Sequence, residues 1–153
     1  MSRGRDCVPC GRHMGNLGQT SQGVVVKYDS NAKHTYGRGW GINRLIPRLP
    51  IPVRDAVIVT LAGEDRDRPW LIKRGVQNAN IISVDRDKKA VELVRQNGGL
   101  AVHAPIHEFL VSLPGEFPIH GLILDFNCGL EQPVTELWWA LFAPAIHPNA
   151  AVY

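Results

Sequence analysis

Cysteine is scarce in this chain of 153 residues, which contains three, and a small odd number excludes a framework of paired disulfides. Long apolar runs are also missing, so the sequence predicts no membrane-spanning helix and no membrane partner. The first residues lack the apolar core of a secretion signal. These absences together lead us to expect a cytoplasmic protein.

The composition is that of an ordinary globular domain, because 44% of the residues are hydrophobic and 20% are charged. The charge is unevenly spread. Residues 1–50 contain eight Lys or Arg and two Asp, whereas residues 51–153 contain nine basic and twelve acidic residues. We therefore predict a basic, Gly/Arg-rich N-terminal extension over residues 1–50 and an acidic folded domain over residues 51–153.

The stretch from residue 56 to residue 85 has the pattern of a strand, a loop, a helix and a second strand. Residues 56–61 are an apolar, largely β-branched run, which is typical of a strand buried on both faces of a parallel sheet. Residues 81–84 repeat this pattern. Between the two runs, Asp67 is expected to be the N-cap of a short helix and Gly75 its stop.

A carboxylate follows the second of these strands. Asp85 stands at the carboxyl end, where open α/β sheets bind ligands, and about twenty residues beyond Gly63, the spacing of the acid that contacts ribose in Rossmann-like folds. The first loop has the single Gly63 followed by Glu64 and Asp65, whereas a dinucleotide needs several glycines around its pyrophosphate. This weakens the case for a nicotinamide-dependent oxidoreductase. It favours a ligand with cationic groups and no phosphate, such as S-adenosylmethionine.

Three segments share a family pattern, namely TLAGEDRDRPWLIKRG, NIISVDRD and GLILDFNCG. Together they resemble the class I S-adenosylmethionine-dependent methyltransferases, and more narrowly the small methyltransferases common in phage and mobile-element genomes. The resemblance covers residues 57–153. It implies a three-layer α/β sandwich with a mostly parallel Rossmann-like sheet and S-adenosylmethionine as cofactor. The cofactor-binding positions that it implies are Leu61, Ala62, Gly63, Glu64, Asp65, Asp85, Arg86, Ala104, Ile106 and Asp125.

The same resemblance assigns the catalytic side to the residues after the fourth predicted strand, Asp125, Phe126 and Asn127. It implies that Asp125 orients a nucleophile, that Phe126 stacks a flat substrate and that Asn127 hydrogen-bonds to it. The family pattern of an acid or amide, two prolines and an aromatic is not present here. A structural alternative is that Asp125 caps the following helix.

Apolar patterns predict the remaining elements. These are helices over residues 87–97, 106–113 and 131–143, strands over residues 100–103 and 119–124, and a fifth strand that begins at Ala150 after a turn at residues 147–149. A class I sheet has seven strands, so we expect either a minimal version without the last hairpin or the front part of a longer protein. The open sheet edge predicts a homo-oligomer.

An aromatic, arginine-rich segment precedes the folded domain. The residues suited to nucleic acid are Tyr36, Arg38, Trp40, Arg44 and Arg48, because aromatic rings stack bases and arginines neutralise phosphates. DNA or RNA is therefore the expected partner. Two other interpretations stay open: a lid over the cofactor hinged at Gly37, Gly39 and Gly41, and a surface loop whose aromatic residues pack on the sheet edge.

Cys7, Cys10 and His13 have the spacing of zinc ligands. A closed site needs a fourth ligand, for which the chain offers only distant candidates such as His34 and Cys128. We therefore predict no bound metal and two solvent-facing thiols.

The sequence thus leads to two functions from different classes. The first is an S-adenosylmethionine-dependent methyltransferase that acts on nucleic acid. The alternative is a non-catalytic Rossmann-like module used for nucleic-acid binding or assembly, which the single-glycine loop and the absent hairpin favour.

Overall fold

Five parallel strands form one sheet in the order β3-β2-β1-β4-β5. The computed structural model describes residues 39–125, 138 and 142–153 of the chain. The strands are β1 (Ile58–Leu61), β2 (Ile81–Asp85), β3 (Leu100–His103), β4 (Ile119–Ile123) and β5 (Ile146–Val152). Their β-branched, apolar sequences suit a sheet whose central strands are buried on both faces.

Helices connect and cover these strands. They are α1 (Gly39–Leu45), α2 (Asp67–Lys73), α3 (Lys88–Gln96) and α4 (Ile106–Ser112), with short 3-10 helices at Ile46–Arg48 and Asn78–Asn80. The start of α3 is capped by Asp87, whose carboxylate accepts a hydrogen bond from the backbone N–H of Lys89 (2.9 Å). Within the described ranges, no helix has the length and apolar character needed to cross a bilayer.

The hydrophobic core lies on both faces of the sheet because successive strand residues point in opposite directions. On one face Val59 packs with Val84, Leu122 and the α4 residues Phe109 and Leu110. On the other face the core cluster contains α1 and α2 residues together with strand residues, namely Ile42, Leu45, Ile58, Leu71 and Ile81. The predicted α/β architecture with a parallel sheet is confirmed.

The glycine-rich segment before the domain differs from the loop that the sequence suggested. Residues Gly39–Leu45 form α1, and its Ile42 and Leu45 side chains are buried in the core. A Cβ atom on Gly41 would lie 2.2 Å from the Tyr153 ring, so only glycine allows the helix and this ring to approach so closely. Gly41 is therefore required for close packing against Tyr153, which is more than a hundred positions away in the sequence.

Strand β5 begins at Ile146, four residues before the predicted start at Ala150. Ile119 of β4 lies opposite Ile146, whereas Gly121, two residues on, lies opposite Ala151. The extra residues of β5 form an irregularity at the predicted turn, where the Asn149 N–H donates to Nδ1 of His147 (3.1 Å). The predicted turn at residues 147–149 is therefore wrong, because these residues lie within β5 and form an irregularity in its pairing with β4.

Several predictions fall on parts of the chain outside the described residues. These are the first 38 residues of the basic extension and all of the helix over residues 131–143 except its Trp138, Phe142 and Ala143.

A buried histidine fastens β4 to the chain entering β1. The Val57 N–H donates to Nδ1 of His120 (3.1 Å), and the His120 N–H donates back to the Val57 carbonyl (2.9 Å). The His147 ring lies 5.6 Å from the His120 ring. Burial, and secondarily the charge on His147, lower the pKa of His120 below its ordinary value of 6.5.

This lowered pKa predicts that acid destabilises the fold. As the pH falls through about 6.5, the unfolded chain takes up a proton at position 120 before the folded chain does, so the free energy of unfolding decreases. The variant His120→Asn keeps an acceptor for Val57 but does not titrate, and we expect its stability to change less between about pH 7.5 and pH 5.5. Urea denaturation across that range measures the two slopes, and identical slopes would contradict the assignment.

Candidate functional site

Several polar and aromatic side chains lie along the carboxyl ends of the strands. Asp85 ends β2, His103 ends β3, Asp125 lies just beyond β4 and Tyr153 follows β5. The strand order reverses direction between β1 and its neighbour β4. In open α/β sheets, the crevice outside the carboxyl ends at such a reversal is the usual ligand site.

Asp85 is hydrogen-bonded to the first loop. Its Oδ2 accepts from the Gly63 N–H (3.1 Å) and its Oδ1 accepts from the Asp87 N–H (2.9 Å). The side chain stays half-buried at the edge of the sheet. An ionised carboxylate has about four acceptor positions, so the two oxygens can still accept from a pair of ligand hydroxyl groups.

The first loop turns sharply after β1. The Ala62 N–H donates to the Val84 carbonyl (3.0 Å), and the Asp65 N–H donates to the Ala62 carbonyl (2.8 Å). Gly63 has a φ of 46°, and no heavy atom lies within 4 Å of the position its Cβ would occupy. The loop therefore presents open space above Gly63, with the exposed Glu64 beside it in an ion pair with Arg66.

The Asp65 carboxylate points into the protein. Only 3% of its side chain is exposed, and it accepts two hydrogen bonds from Arg68, at 2.8 Å from Nε and 2.6 Å from Nη2. A third donor is Nδ2 of Asn97 (2.9 Å). The hydrogen bonds from Arg68 to Asp65 raise the pKa of Arg68, so this guanidinium is permanently charged. The sequence predicted that Asp65 contacts the cofactor, whereas in the structure its carboxylate is hydrogen-bonded to Arg68 and Asn97.

Arg68 joins the loop to two neighbouring elements. It donates from Nη1 to Oδ1 of Asn78 (3.1 Å) and from Nη2 to the Asn97 carbonyl (3.1 Å). A Cβ atom on Gly99 would lie 2.8 Å from Nε of Arg68, so the absent side chain makes room for the guanidinium. Sequence reasoning missed Arg68, although its spacing of three residues from Asp65 is that of a helical ion pair.

Asp67 is the first residue of α2, whereas the sequence predicted it to be the N-cap. The residue at the cap position is Arg66, and it makes no side-chain capping bond. Oδ2 of Asp67 is buried and accepts from the Thr60 hydroxyl (3.0 Å). The acid thus attaches α2 to β1.

The loops after β2 and β3 contact each other. Nε2 of His103 donates to the Arg86 carbonyl (3.0 Å), and the Ala104 N–H donates to the Asp85 carbonyl (3.0 Å). Arg86 is exposed, Ala104 is half-buried and Ile106 is buried in the core. The predicted cofactor residues on these two loops therefore lie side by side, with Ile106 facing the interior.

The end of β4 is paired with the end of β5. The Leu124 N–H donates to the Tyr153 carbonyl (2.8 Å), and the Tyr153 N–H donates to the Leu122 carbonyl (2.9 Å). Asp125 follows and is half-buried. The other two predicted catalytic residues, Phe126 and Asn127, lie outside the described residues.

An aromatic and cationic cluster borders the same edge. The Arg44 guanidinium lies 4.1 Å above the Trp40 ring, and the Tyr153 ring meets the Trp40 ring edge to face at 6.4 Å. Trp40 remains 53% exposed. Arg48 is exposed and donates to the Arg44 carbonyl (2.9 Å). We call Trp40, Arg44 and Tyr153 the aromatic cluster, and its Tyr153 was not anticipated from the sequence.

The other residues predicted for this segment divide into two groups. Tyr36, Arg38 and Gly37 lie outside the described residues. Gly39 and Gly41, predicted as hinges of a lid, are buried within α1.

No protein-family model matches this sequence, and no curated protein matches it.

Among the described residues, no three His, Cys, Asp or Glu side chains are grouped as they would be around a metal ion. The cysteines and histidine with zinc-ligand spacing, Cys7, Cys10 and His13, lie outside that part of the chain.

Proposed function

We propose that the protein is an S-adenosylmethionine-dependent methyltransferase that acts on nucleic acid. The observation that carries the proposal is the hydrogen bond between the Gly63 N–H and the Asp85 carboxylate (3.1 Å) at the carboxyl edge of the sheet. A strand-end acid fixed to the first loop in this way has the position of the ribose-binding acid in Rossmann-like domains.

The strand order supports the finer fold assignment within this proposal. The order β3-β2-β1-β4-β5 is that of the first five strands of a Rossmann-like sheet. We therefore assign the five described strands to a Rossmann-like sheet, and the basic residues 1–50 to an N-terminal extension whose last part, α1, packs on that sheet.

The described residues fit an adenosine-type cofactor with a charged amino-acid end. Asp85 retains acceptor positions for two ribose hydroxyl groups. We assign the ammonium group to the exposed Glu64, which would exchange its ion pair with Arg66 for it, and the adenine to the side bordered by Arg86 and Ala104. When bound, S-adenosylmethionine supplies an electrophilic methyl group.

The protein's contribution to such a transfer is orientation. The acceptor atom has to be held about 3 Å from the methyl carbon. This positioning contributes more to the rate of methyl transfer than a strong acid or base does. Asp125 is half-buried beyond β4, whereas Asp85 ends β2 on the other side of the point where the strand order reverses. From this position Asp125 orients the acceptor.

The aromatic cluster supports nucleic acid as the acceptor. Trp40 has an exposed ring surface, and Arg44 and Arg48 are exposed cations on the same short segment. Stacking on an aromatic ring together with phosphate neutralisation is the usual basis of single-strand binding. The net charge of +6 over residues 1–50 also favours binding to the phosphates of a nucleic acid.

One observation favours the alternative of a non-catalytic nucleic-acid-binding module. Because the Asp65 carboxylate is turned toward Arg68, the first loop presents Glu64 as its exposed acid and so offers less attraction to a cationic ligand. A protein that binds single strands but neither S-adenosylmethionine nor its demethylated product would support this alternative.

Replacing Asp85 tests the cofactor site. In Asp85→Ala the loss of charge-assisted contacts to the ribose hydroxyls should cost about 2–3 kcal/mol and weaken S-adenosylmethionine binding by tens-fold or more. The matched control is Asp87→Ala, which removes the cap of α3 and about 1 kcal/mol of stability but leaves the ligand contacts intact. Isothermal titration calorimetry measures both, and an unchanged dissociation constant in Asp85→Ala would refute the assignment.

Replacing Trp40 tests the nucleic-acid surface. Trp40→Ala should remove about 1–3 kcal/mol from binding of a fluorescent single strand, and the wild-type affinity should fall with salt by a log–log slope of about −0.7 per phosphate contacted. Arg54→Gln is the control and should leave binding unchanged. Arg54 is exposed, but it precedes β1 and so lies at the amino ends of the strands, away from Trp40.

The lid interpretation makes the reverse prediction for the same variant. Trp40→Ala would then weaken binding of S-adenosylmethionine and leave the single strand bound as before. Anisotropy with the labelled strand and calorimetry with the cofactor distinguish the two roles.

A further inference from the structure

We propose that Arg68 is a positioning residue, which holds the loop of residues 62–65 in the conformation that directs the Gly63 N–H to Asp85. Arg68 itself does not belong to the predicted cofactor contacts and acts through Asp65. The consequence for cofactor affinity rests on the proposed function, whereas the consequence for the loop does not.

The loop adopts a conformation that needs to be held. Both Gly63 and Asp65 have positive φ angles, of 46° and 54°. Glycine adopts this region freely, but Asp65 carries a Cβ, which makes the same conformation unfavourable for it. Interactions of the Asp65 side chain therefore have to stabilise the turn.

Arg68 supplies those interactions in a buried setting. The side chains of Asp65 and Arg68 are 3% and 8% exposed, and both carboxylate oxygens accept from the guanidinium. A buried carboxylate without its partner would be strongly unfavourable. Leaving the left-handed conformation would withdraw Asp65 from Arg68, so the ion pair and the turn stabilise each other.

The guanidinium is in turn fixed from outside the loop. Its remaining donors reach Oδ1 of Asn78 and the Asn97 carbonyl, and Nδ2 of Asn78 donates to the Gly98 carbonyl (2.9 Å). The 3-10 helix Asn78–Asn80 and the end of α3 thus orient Arg68. A lysine has a single charged nitrogen and cannot satisfy this planar set of acceptors.

The link to the site is short. Gly63 is two residues from Asp65, and its N–H donates to the same Asp85 carboxylate that we assign to the ribose. If the turn relaxes, this N–H no longer points at Asp85, and the carboxylate loses one of the two bonds that orient it.

Two asparagines of one 3-10 helix provide a matched test. Asn78→Ala removes a partner of Arg68 and a bond to the Gly98 carbonyl, whereas Asn80→Ala removes only a bond to the Arg54 carbonyl (3.1 Å). Arg68→Lys keeps the positive charge but loses the planar set of N–H donors of the guanidinium. Amide hydrogen exchange at Gly63, followed by NMR in the protein without ligand, reports on the loop directly.

We expect exchange at Gly63 to be about tenfold faster in Arg68→Lys and Asn78→Ala than in the wild type, and unchanged in Asn80→Ala. Calorimetry should then show S-adenosylmethionine binding weakened in the first two variants and retained in Asn80→Ala, even where the denaturation midpoints of the two asparagine variants agree.

Unchanged exchange at Gly63 in Arg68→Lys and Asn78→Ala would overturn the proposal, as would equal acceleration in Asn80→Ala. If Arg68→Lys does not fold, the two asparagine variants carry the comparison. A wild-type protein that fails to bind S-adenosylmethionine would refute the proposed function, and the exchange rate at Gly63 would still decide the role of Arg68.

Discussion

Strand β1 is hydrogen-bonded on both sides, with Ile58 opposite Ile81 of β2 and opposite Gly121 of β4. This register aligns the carboxyl ends of the three strands, so that the loop after β1 meets the acid that ends β2. A Cβ atom on Gly121 would lie 3.3 Å from side-chain atoms of Ile58 and Leu49, which shows how closely the segment after α1 lies on the sheet. The candidate site is therefore a consequence of pairing in the middle of the sheet.

The first loop combines that pairing with a buried ion pair. Asp65 and Arg68 do not simply add stability, because the desolvation of two buried charges offsets much of their attraction. What the pair specifies is one conformation of the turn, with the acid inside and Gly63 free to donate to Asp85. The charge of the loop is redistributed by the same arrangement. Glu64 is left as its exposed acid, and Asp67 is used to hold α2 against Thr60.

Local patterns predicted most of the sheet. The strand at Leu100–His103 was predicted with its observed limits, and β2 differed by one residue at its end, because short apolar runs bounded by turn residues define parallel strands without help from distant contacts. The position of Asp85 at a carboxyl end followed from the same pattern. Only the spacing to Gly63, and not their hydrogen bond, could be inferred from the sequence.

The features that the sequence did not reveal depend on contacts between distant residues. Helix α1 has only two core residues and three glycines nearby, so its periodicity is weak, and its packing depends on Tyr153 at the far end of the chain. The Asp65 side chain is directed by Arg68, three residues away, but both are also hydrogen-bonded to Asn97, which is 32 positions from Asp65. Tertiary contacts of this kind override local propensity.

We propose that the carboxyl edge of this sheet binds S-adenosylmethionine. Calorimetric titration of the protein with S-adenosylmethionine, its demethylated product and NAD is the decisive experiment. We expect saturable binding of the first two ligands with one molecule per chain, and no binding of NAD, because the loop has a single glycine and cannot enclose a pyrophosphate. Binding of NAD in preference to S-adenosylmethionine, or no binding of S-adenosylmethionine and its product, would refute this assignment.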